Sequence, residues 1–139
     1  MPTTKEFSIE LDDQPGVLGK FCRSLADRGV NILAFNTKPS EGKGKSEVRL
    51  VVDDPTTAKS VLDSEKLKYQ ETEVAQVKLP HRPGELARAA SKLGDANVNI
   101  NYAYCGIDAR TNEPVLIFAT ADAGRTAKIL DEVAAAAKA

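Results

Sequence analysis

Stretches in which apolar and polar residues alternate occur near the start and in the middle of the chain. Each is followed by a Pro-Gly pair: Phe7–Leu11 precedes Pro15-Gly16, and Val74–Leu79 precedes Pro83-Gly84. A period of two residues is typical of a half-buried β-strand, and Pro-Gly interrupts regular structure. The pattern therefore predicts a strand and a turn at both places.

Apolar residues at helical spacing follow each Pro-Gly pair, at Val17–Leu25 and at Leu86–Leu93, and predict two helices. Asp54-Pro55-Thr56 can cap a further helix, since proline is tolerated in a first helical turn. A last helix is expected from about Arg125 into the alanine-rich end. The other predicted elements are strands Val30–Thr37, Val48–Val52, Leu67–Val74, Val98–Gly106 and Val115–Thr120, with polar turns at Pro39–Lys45 and Asp108–Asn112.

The order of these elements repeats itself along the chain. A shift of 68 positions places Pro15-Gly16 on Pro83-Gly84 and Val30-Asn31-Ile32 on Val98-Asn99-Ile100. With one residue of drift, the later strands align in the same way, placing Val48, Leu50 and Val52 on Val115, Ile117 and Ala119. The sequence therefore predicts two copies of one module, at residues 1–73 and 74–139.

Each copy reads as a βαββαβ unit, which places helices on one face of an antiparallel sheet and belongs to the α+β class. We expect two ferredoxin-like modules side by side, with residues 69–79 as one long strand that ends the first module and begins the second. The second module is expected to lack a fourth strand of its own. Because a unit of this size buries little surface alone, the two should share an interface.

The predicted face opposite the helices differs between the copies. With the drift included, it carries Arg49 and Val51 in the first copy but Leu116 and Phe118 in the second. Exposed apolar patches mark interaction surfaces. We therefore expect a homodimer or larger homo-oligomer that uses the face near Leu116 and Phe118.

Composition and charge remove several classes of function. The 139 residues carry a formal net charge of −1, so the basic stripe of a nucleic-acid binder is missing. No apolar run reaches the roughly 20 residues needed to span a bilayer, and Met1–Glu6 contains no apolar signal region. Cys22 and Cys105 form neither a disulfide framework nor a metal motif. The expected protein is cytoplasmic, without membrane or nucleic-acid partners, and uses no metal or cofactor.

Two motifs resemble a known family. The first is Asp13-Gln14-Pro15-Gly16-Val17-Leu18, followed by Gly29-Val30-Asn31-Ile32. The second is His81-Arg82-Pro83-Gly84-Glu85-Leu86, followed by Asn97-Val98-Asn99-Ile100. Each copy resembles an ACT domain, the ligand-sensing module of many enzymes of amino-acid biosynthesis. The resemblance covers about Phe7 to Val133, and the arrangement resembles tandem ACT proteins without a catalytic domain.

This resemblance implies a non-catalytic regulatory protein that binds a small ligand, an amino acid, at the interface between its two ACT modules. Asp13 and His81 stand where the similar ACT-domain pattern of phosphoglycerate dehydrogenase has asparagine. The identity of that enzyme's ligand therefore cannot be carried over to this chain. The resemblance assigns Asp13, Gly16, Asn31, His81, Gly84 and Asn99 to the ligand by position. The loops that contain the two glycines add Gln14, Val17, Arg82 and Glu85 as candidate ligand-binding residues.

Physical chemistry supports the same loops. A loop that enters a helix presents free N–H groups and partial positive charge, which suit a carboxylate. Structural alternatives stay open. Pro-Gly can be a simple turn, Asp12 or Asp13 can cap the first helix, and Asn31 and Asn99 can satisfy backbone groups in turns.

Two other kinds of function compete with a ligand sensor. The sequence contains a single histidine and no convincing acid–base pair, so we do not expect an enzyme. The second rival is an interaction module without a ligand, such as a detached regulatory subunit that docks on a metabolic enzyme.

Overall fold

The computed structural model describes residues 3–41 and 44–138 and shows the expected α+β architecture, with six strands and four helices in these residues. The predicted turn Pro39–Lys45 includes Gly42 and Lys43, which lie outside the described residues. The elements are β1 (Thr3–Asp12), α1 (Val17–Asp27), β2 (Ile32–Pro39), β3 (Lys45–Val52), α2 (Pro55–Ser64), β4 (Tyr69–Lys78), α3 (Glu85–Asp95), β5 (Tyr102–Asp108), β6 (Glu113–Ala119) and α4 (Ala123–Lys138).

The chain divides into two compact units. The first is Lys5–Thr72, and the second is Glu73–Ala139 together with Met1–Thr4. As expected, β4 is one continuous strand, Tyr69–Lys78, that runs through the division.

The first unit contains the strand order β1-β3-β2, with antiparallel pairing on both sides of β3. Leu50 lies opposite Phe7 on one side and Phe35 on the other. Since both neighbours run antiparallel to β3, β1 and β2 are parallel to each other and end at the same edge. Residues of the strands and of both helices form one apolar core: Phe7, Ile9, Leu11, Phe21, Leu25, Val30, Val48, Leu50, Val52, Ala58, Val61 and Leu62.

The second unit contains the order β4-β6-β5, again antiparallel. Phe118 lies opposite Ala75 on β4 and Ala103 on β5. The core of this unit joins the strands to α3 and α4 and consists of Ala75, Val77, Leu79, Ala89, Leu93, Phe118, Ala127, Leu130 and Val133.

The strand registers show that the predicted one-residue drift between the copies is wrong. Phe7 pairs with Leu50 in the first unit, and Ala75 pairs with Phe118 in the second. Both members of the second pair therefore lie 68 positions after their counterparts. Leu50 corresponds to Phe118 rather than to Ile117.

This correction reverses the two faces of β6, because a shift of one residue moves every side chain of a strand to the other face. Phe118 belongs to the core with the helices and is 1% exposed, and Leu116 packs against the same core. The face opposite the helices carries Val115, Ile117 and Ala119 instead. The prediction of an exposed docking face at Leu116 and Phe118 is therefore wrong. The homo-oligomer stays a prediction, but it cannot use that surface.

Two predicted strands begin later than the sequence indicates. β2 begins at Ile32 rather than Val30, and β5 begins at Tyr102 rather than Val98. The Val30 N–H donates to the Leu25 carbonyl at 3.0 Å, and the Val98 N–H donates to the Leu93 carbonyl at 2.9 Å. These bonds close the ends of α1 and α3, so both valines complete a helix-ending turn before the strand can start.

Local capping at α2 matches the sequence. The Asp54 carboxylate accepts from the Thr57 N–H at 3.1 Å and from the Thr57 hydroxyl at 2.6 Å, and Pro55 begins the helix. These hydrogen bonds lower the pKa of Asp54. Cys22, which the helical spacing assigns to the core, is partly buried against it, and burial raises the pKa of its thiol.

Candidate functional site

The two Pro-Gly loops have nearly the same backbone. Gly16 has φ 88° and ψ −15°, and Gly84 has φ 91° and ψ −14°. Each glycine is the residue immediately before its helix. The Val17 N–H donates to the Gln14 carbonyl at 3.3 Å, and the Glu85 N–H donates to the Arg82 carbonyl at 3.4 Å. The loops therefore differ in side chains rather than in conformation.

Backbone conformation alone explains why glycine occupies positions 16 and 84. Left-handed φ values strain residues that carry a Cβ atom, whereas a Cβ built at Gly16 or Gly84 would meet no atom within 4 Å. The positions are thus open to solvent and sterically free. Neither Asp12 nor Asp13 caps α1, because that helix has no side-chain cap, so the capping alternative is wrong.

Replacement by alanine should change the free energy of unfolding in opposite directions at two glycines that lie three positions apart. Gly16→Ala is expected to lower the free energy of unfolding by about 1–2 kcal/mol, because alanine is strained at this φ. Gly19→Ala, in the interior of α1 and also without a Cβ contact, should raise it by about 0.5–1 kcal/mol. Urea denaturation of both variants checks this. Equal effects would show that the left-handed turn is not what requires Gly16.

A cavity of about 220 Å³ lies beside the first of these loops. It sits where α1 begins and where β1 and β2 end, so all of its walls belong to the first unit. Leu18 and the buried Val48 give it an apolar floor. The lining residues are Asp12, Asp13, Gln14, Leu18, Thr37, Lys38, Pro39, Ser46 and Val48.

Charges of both signs line this cavity. The Asp12 carboxylate is paired with the Lys45 ammonium at 2.5 Å, and this hydrogen bond raises the pKa of Lys45. Asp13 and Lys38 are exposed, and neither forms an ion pair with another residue that the structure describes. The cavity thus offers the carboxylate of Asp13 to an incoming molecule, whereas Lys38 lies opposite Glu47 and belongs to the face of β2 and β3 away from Val48.

Asn31 is not part of this group. Its N–H donates to the Asp53 carboxylate at 2.9 Å, and its carbonyl accepts from the Asp53 N–H at 3.0 Å. Asn31 stands just before β2, whereas the cavity uses the far end of that strand. Within the first unit, the structure therefore brings Asp13, Gln14 and Gly16 together and leaves Asn31 at the opposite edge.

The corresponding loop of the second unit carries an ion cluster. Glu85, the first residue of α3, is paired with Arg82 at 2.5 Å and also with Arg88. The Arg82 guanidinium additionally donates to the Ala137 carbonyl of α4 at 3.2 Å. The Glu85 side chain is only 8% exposed. The hydrogen bond from Arg82 is the main reason why the pKa of Glu85 is lowered.

This lowered pKa predicts a pH-dependent stability. A carboxyl group whose pKa is lower in the folded state stabilises the fold above its ordinary value of 4.5, and the stabilisation is lost as the pH falls through the folded-state value. Glu85→Gln should therefore destabilise the protein at neutral pH, and the difference from wild type should shrink in acid. Denaturation curves at neutral and at acidic pH measure this difference, and Glu132→Gln, at an exposed position, serves as the control. A difference that does not change with pH would contradict the ionic role of Glu85.

The two remaining predicted residues are exposed. His81 lies in the β4–α3 loop. The Asn99 amide donates to the Asn101 side chain at 3.3 Å; Asn99 precedes β5 and is thus at the edge opposite to Gly84, as Asn31 is in the first unit. In the described part of the chain, no group of three or more His, Cys, Asp or Glu residues could hold a metal ion.

Sequence reasoning missed most of the cavity wall, namely Leu18, Thr37, Lys38, Pro39, Ser46 and Val48. Part of this wall could have been predicted from the order of the elements. In a βαββ order with antiparallel hairpins, the ends of the first and second strands must lie at the same edge. The residues that end β2 could therefore have been placed beside the first Pro-Gly loop.

Comparison with protein families gives two matches to one model, described as ACT domain, at residues 5–66 and 74–138. A comparison with curated protein sequences finds no significant match. None of the helices in the described residues is long and apolar enough to cross a membrane.

Solved structures similar to this chain cover almost its whole length. A protein from Bacteroides thetaiotaomicron is 25% identical, with a TM-score of 0.79, over 94% of this chain and 88% of its own. The regulatory subunit of aspartate kinase from Thermus thermophilus is 16% identical, with a TM-score of 0.58, over 96% of this chain and 97% of its own. The corresponding subunit from Thermus flavus is 12% identical, with a TM-score of 0.57 and the same coverage. At these identities the two kinase subunits show a shared fold.

Proposed function

Since the chain belongs to the ACT domain family, we propose that it is a regulatory protein that binds an α-amino acid in the cavity of its first unit and performs no catalysis. The observation that carries this proposal is the cavity beside the first Pro-Gly loop, which combines the exposed carboxylate of Asp13 with apolar surface from Leu18 and Val48. The earlier prediction that the ligand lies where the two modules meet stays a prediction.

The carboxylate of Asp13 suits the ammonium group of an amino acid. Asp13 forms no ion pair with the other described residues, whereas its neighbour Asp12 is neutralised by Lys45. A charge-assisted hydrogen bond from an ammonium group is among the stronger polar contacts in proteins. Of the two adjacent carboxylates, Asp13 is therefore the one that we assign to the ligand.

The start of α1 suits the carboxylate of the same ligand. The first turn of α1 contains no acidic residue, and a helix N-terminus offers N–H groups together with partial positive charge. The ligand's ammonium group would thus meet Asp13, and its carboxylate would meet the N–H groups at the start of α1.

The floor of the cavity favours an apolar side chain on the ligand. Leu18, Pro39 and Val48 supply apolar surface, and Thr37 and Ser46 add hydroxyl groups. Removal of apolar surface from water is favourable by about 25 cal/mol per Å². Small apolar amino acids are therefore the members of the class that we expect to bind best.

A thermal-shift screen of the full chain against the twenty common amino acids tests the proposal. A ligand at one hundred times its Kd stabilises the folded state by about 2.7 kcal/mol, which raises the midpoint measurably. We expect at least one amino acid, with an apolar side chain, to do this. If none changes the midpoint at millimolar concentration, the proposal fails and the ligand-free interaction module becomes the better account.

A further inference from the structure

The two Pro-Gly loops form an internal comparison, because their backbones agree and their side chains do not. At the shift of 68 positions, Gln14 corresponds to Arg82, Val17 to Glu85, and Lys20 to Arg88. Of these three positions, the first two are neutral in the first unit and charged in the second, and the third carries a cation in both. Val17 and Glu85 are the first residues of α1 and α3, where a helix N-terminus favours an anion.

The charged residues of the second loop are already paired with each other. The Glu85 carboxylate lies between Arg82 and Arg88; its side chain is 8% exposed, and those of the arginines are 56% and 42% exposed. Arg82 also donates to the Ala137 carbonyl, which fixes the guanidinium to α4. Separating the buried Glu85 carboxylate from its arginine partners is costly because it leaves a buried charge unpaired. A ligand could displace Glu85 only against that cost.

Glu85 also changes the electrostatics of the loop. It puts a negative charge into the first turn of α3, and the first turn of α1 has none. A carboxylate stabilises a helix when it lies near the N-terminus. A second carboxylate arriving from a ligand would meet a like charge and a dipole that is already compensated.

From these contacts we propose that Glu85, held by Arg82 and Arg88, takes the place of a ligand carboxylate and so prevents an amino acid from binding at the second loop. Each chain then binds one amino acid, in the first unit. This inference rests on the function proposed above. Arg82 and Glu85 are then residues that exclude the ligand, contrary to the binding role that their position in the loop predicts.

Isothermal titration calorimetry of the full chain tests the stoichiometry. The probe is the amino acid with the largest thermal shift among the twenty, titrated into wild type and into the triple variant His81→Asp, Arg82→Gln and Glu85→Val, which introduces the side chains of Asp13, Gln14 and Val17 into the second loop. We expect one ligand per chain for wild type and two for the triple variant. Two ligands on wild type, or one on the variant, would overturn the inference while leaving the proposed function standing. Absence of binding to wild type would overturn both.

The reciprocal exchange keeps the inference testable if that variant does not fold. Gln14→Arg with Val17→Glu introduces the cluster into the first loop, where Lys20 already occupies the position of Arg88. Binding of the same amino acid should weaken by about tenfold or more, equivalent to about 1.4 kcal/mol. Circular dichroism confirms that the fold is retained. Unchanged affinity in the folded variant would show that the cluster does not exclude ligand.

Discussion

Replacement of Phe118 by alanine is expected to lower the free energy of unfolding by about 3–5 kcal/mol, the usual cost of truncating a buried phenylalanine. Phe118 is 1% exposed and packs in the core of the second unit with residues of α3 and α4. Removal of its ring leaves a cavity that the surrounding side chains can fill only in part. Equilibrium urea denaturation followed by circular dichroism measures the change.

Phe35 provides the matched control, because it is a phenylalanine of the first unit with 57% of its surface exposed. Phe35→Ala should change the free energy of unfolding by less than about 1 kcal/mol, as surface substitutions do. If Phe118→Ala had an equally small effect, Phe118 would lie on a surface, and the register that places it opposite Ala75 would be wrong.

Replacement of Asp13 by asparagine is expected to weaken amino-acid binding by about 10- to 100-fold. The substitution keeps the size of the side chain and removes the negative charge that we assign to the ligand's ammonium group. Hydrogen bonds to charged groups are worth about 1.5–3 kcal/mol, which corresponds to that range. Calorimetric titration of the amino acid found in the screen gives the two dissociation constants.

Asp27→Asn controls for the loss of a negative charge from the first unit. Asp27 is exposed at the last position of α1, so it lies at the end of the helix away from the cavity. Its replacement should leave the affinity within about twofold of wild type, because exposed charges beyond a Debye length of about 10 Å are screened. Equal losses in both variants would indicate a general charge effect rather than contact between Asp13 and the ligand.

The sequence predicted the helices, the Pro-Gly loops and the repeat because each has a local cause. Alternation of apolar and polar residues around Phe7–Leu11 indicates a strand directly, and Pro-Gly followed by helical spacing indicates a turn and a helix. The left-handed φ values at Gly16 and Gly84 agree with those turns. Such features depend on neighbouring residues, which a sequence displays.

The faces of β6 could not be predicted in the same way. Residues 115–119 are apolar without interruption, so no alternation distinguishes the side that meets the helices from the other side. In β3, by contrast, the polar Arg49 marks the face away from the core. The register of β6 is fixed by its partners, Ala75 on β4 and Ala103 on β5, and these long-range pairings are not visible in the strand itself.

The candidate site was predictable only on one side. The motif identified Asp13 and Gln14, which do line the cavity, but not Lys38 or Ser46, which lie far along the chain and reach the cavity through the return of β2 and β3. For Arg82 and Glu85, the motif indicated the position and not the role. Their pairing with Arg88 and Ala137 depends on how the loop, α3 and α4 pack together.

The most direct test of ligand binding in the first unit is a nuclear magnetic resonance titration of the ¹⁵N-labelled full chain with the amino acid that gives the largest thermal shift. We predict that the backbone amide shifts change most at residues 12–14, 16–18, 37–38 and 46–48, around the cavity, and that residues 81–82 and 84–86 of the second loop change little. Changes centred on residues 81–86, or no changes at saturating concentration, would contradict the proposed site.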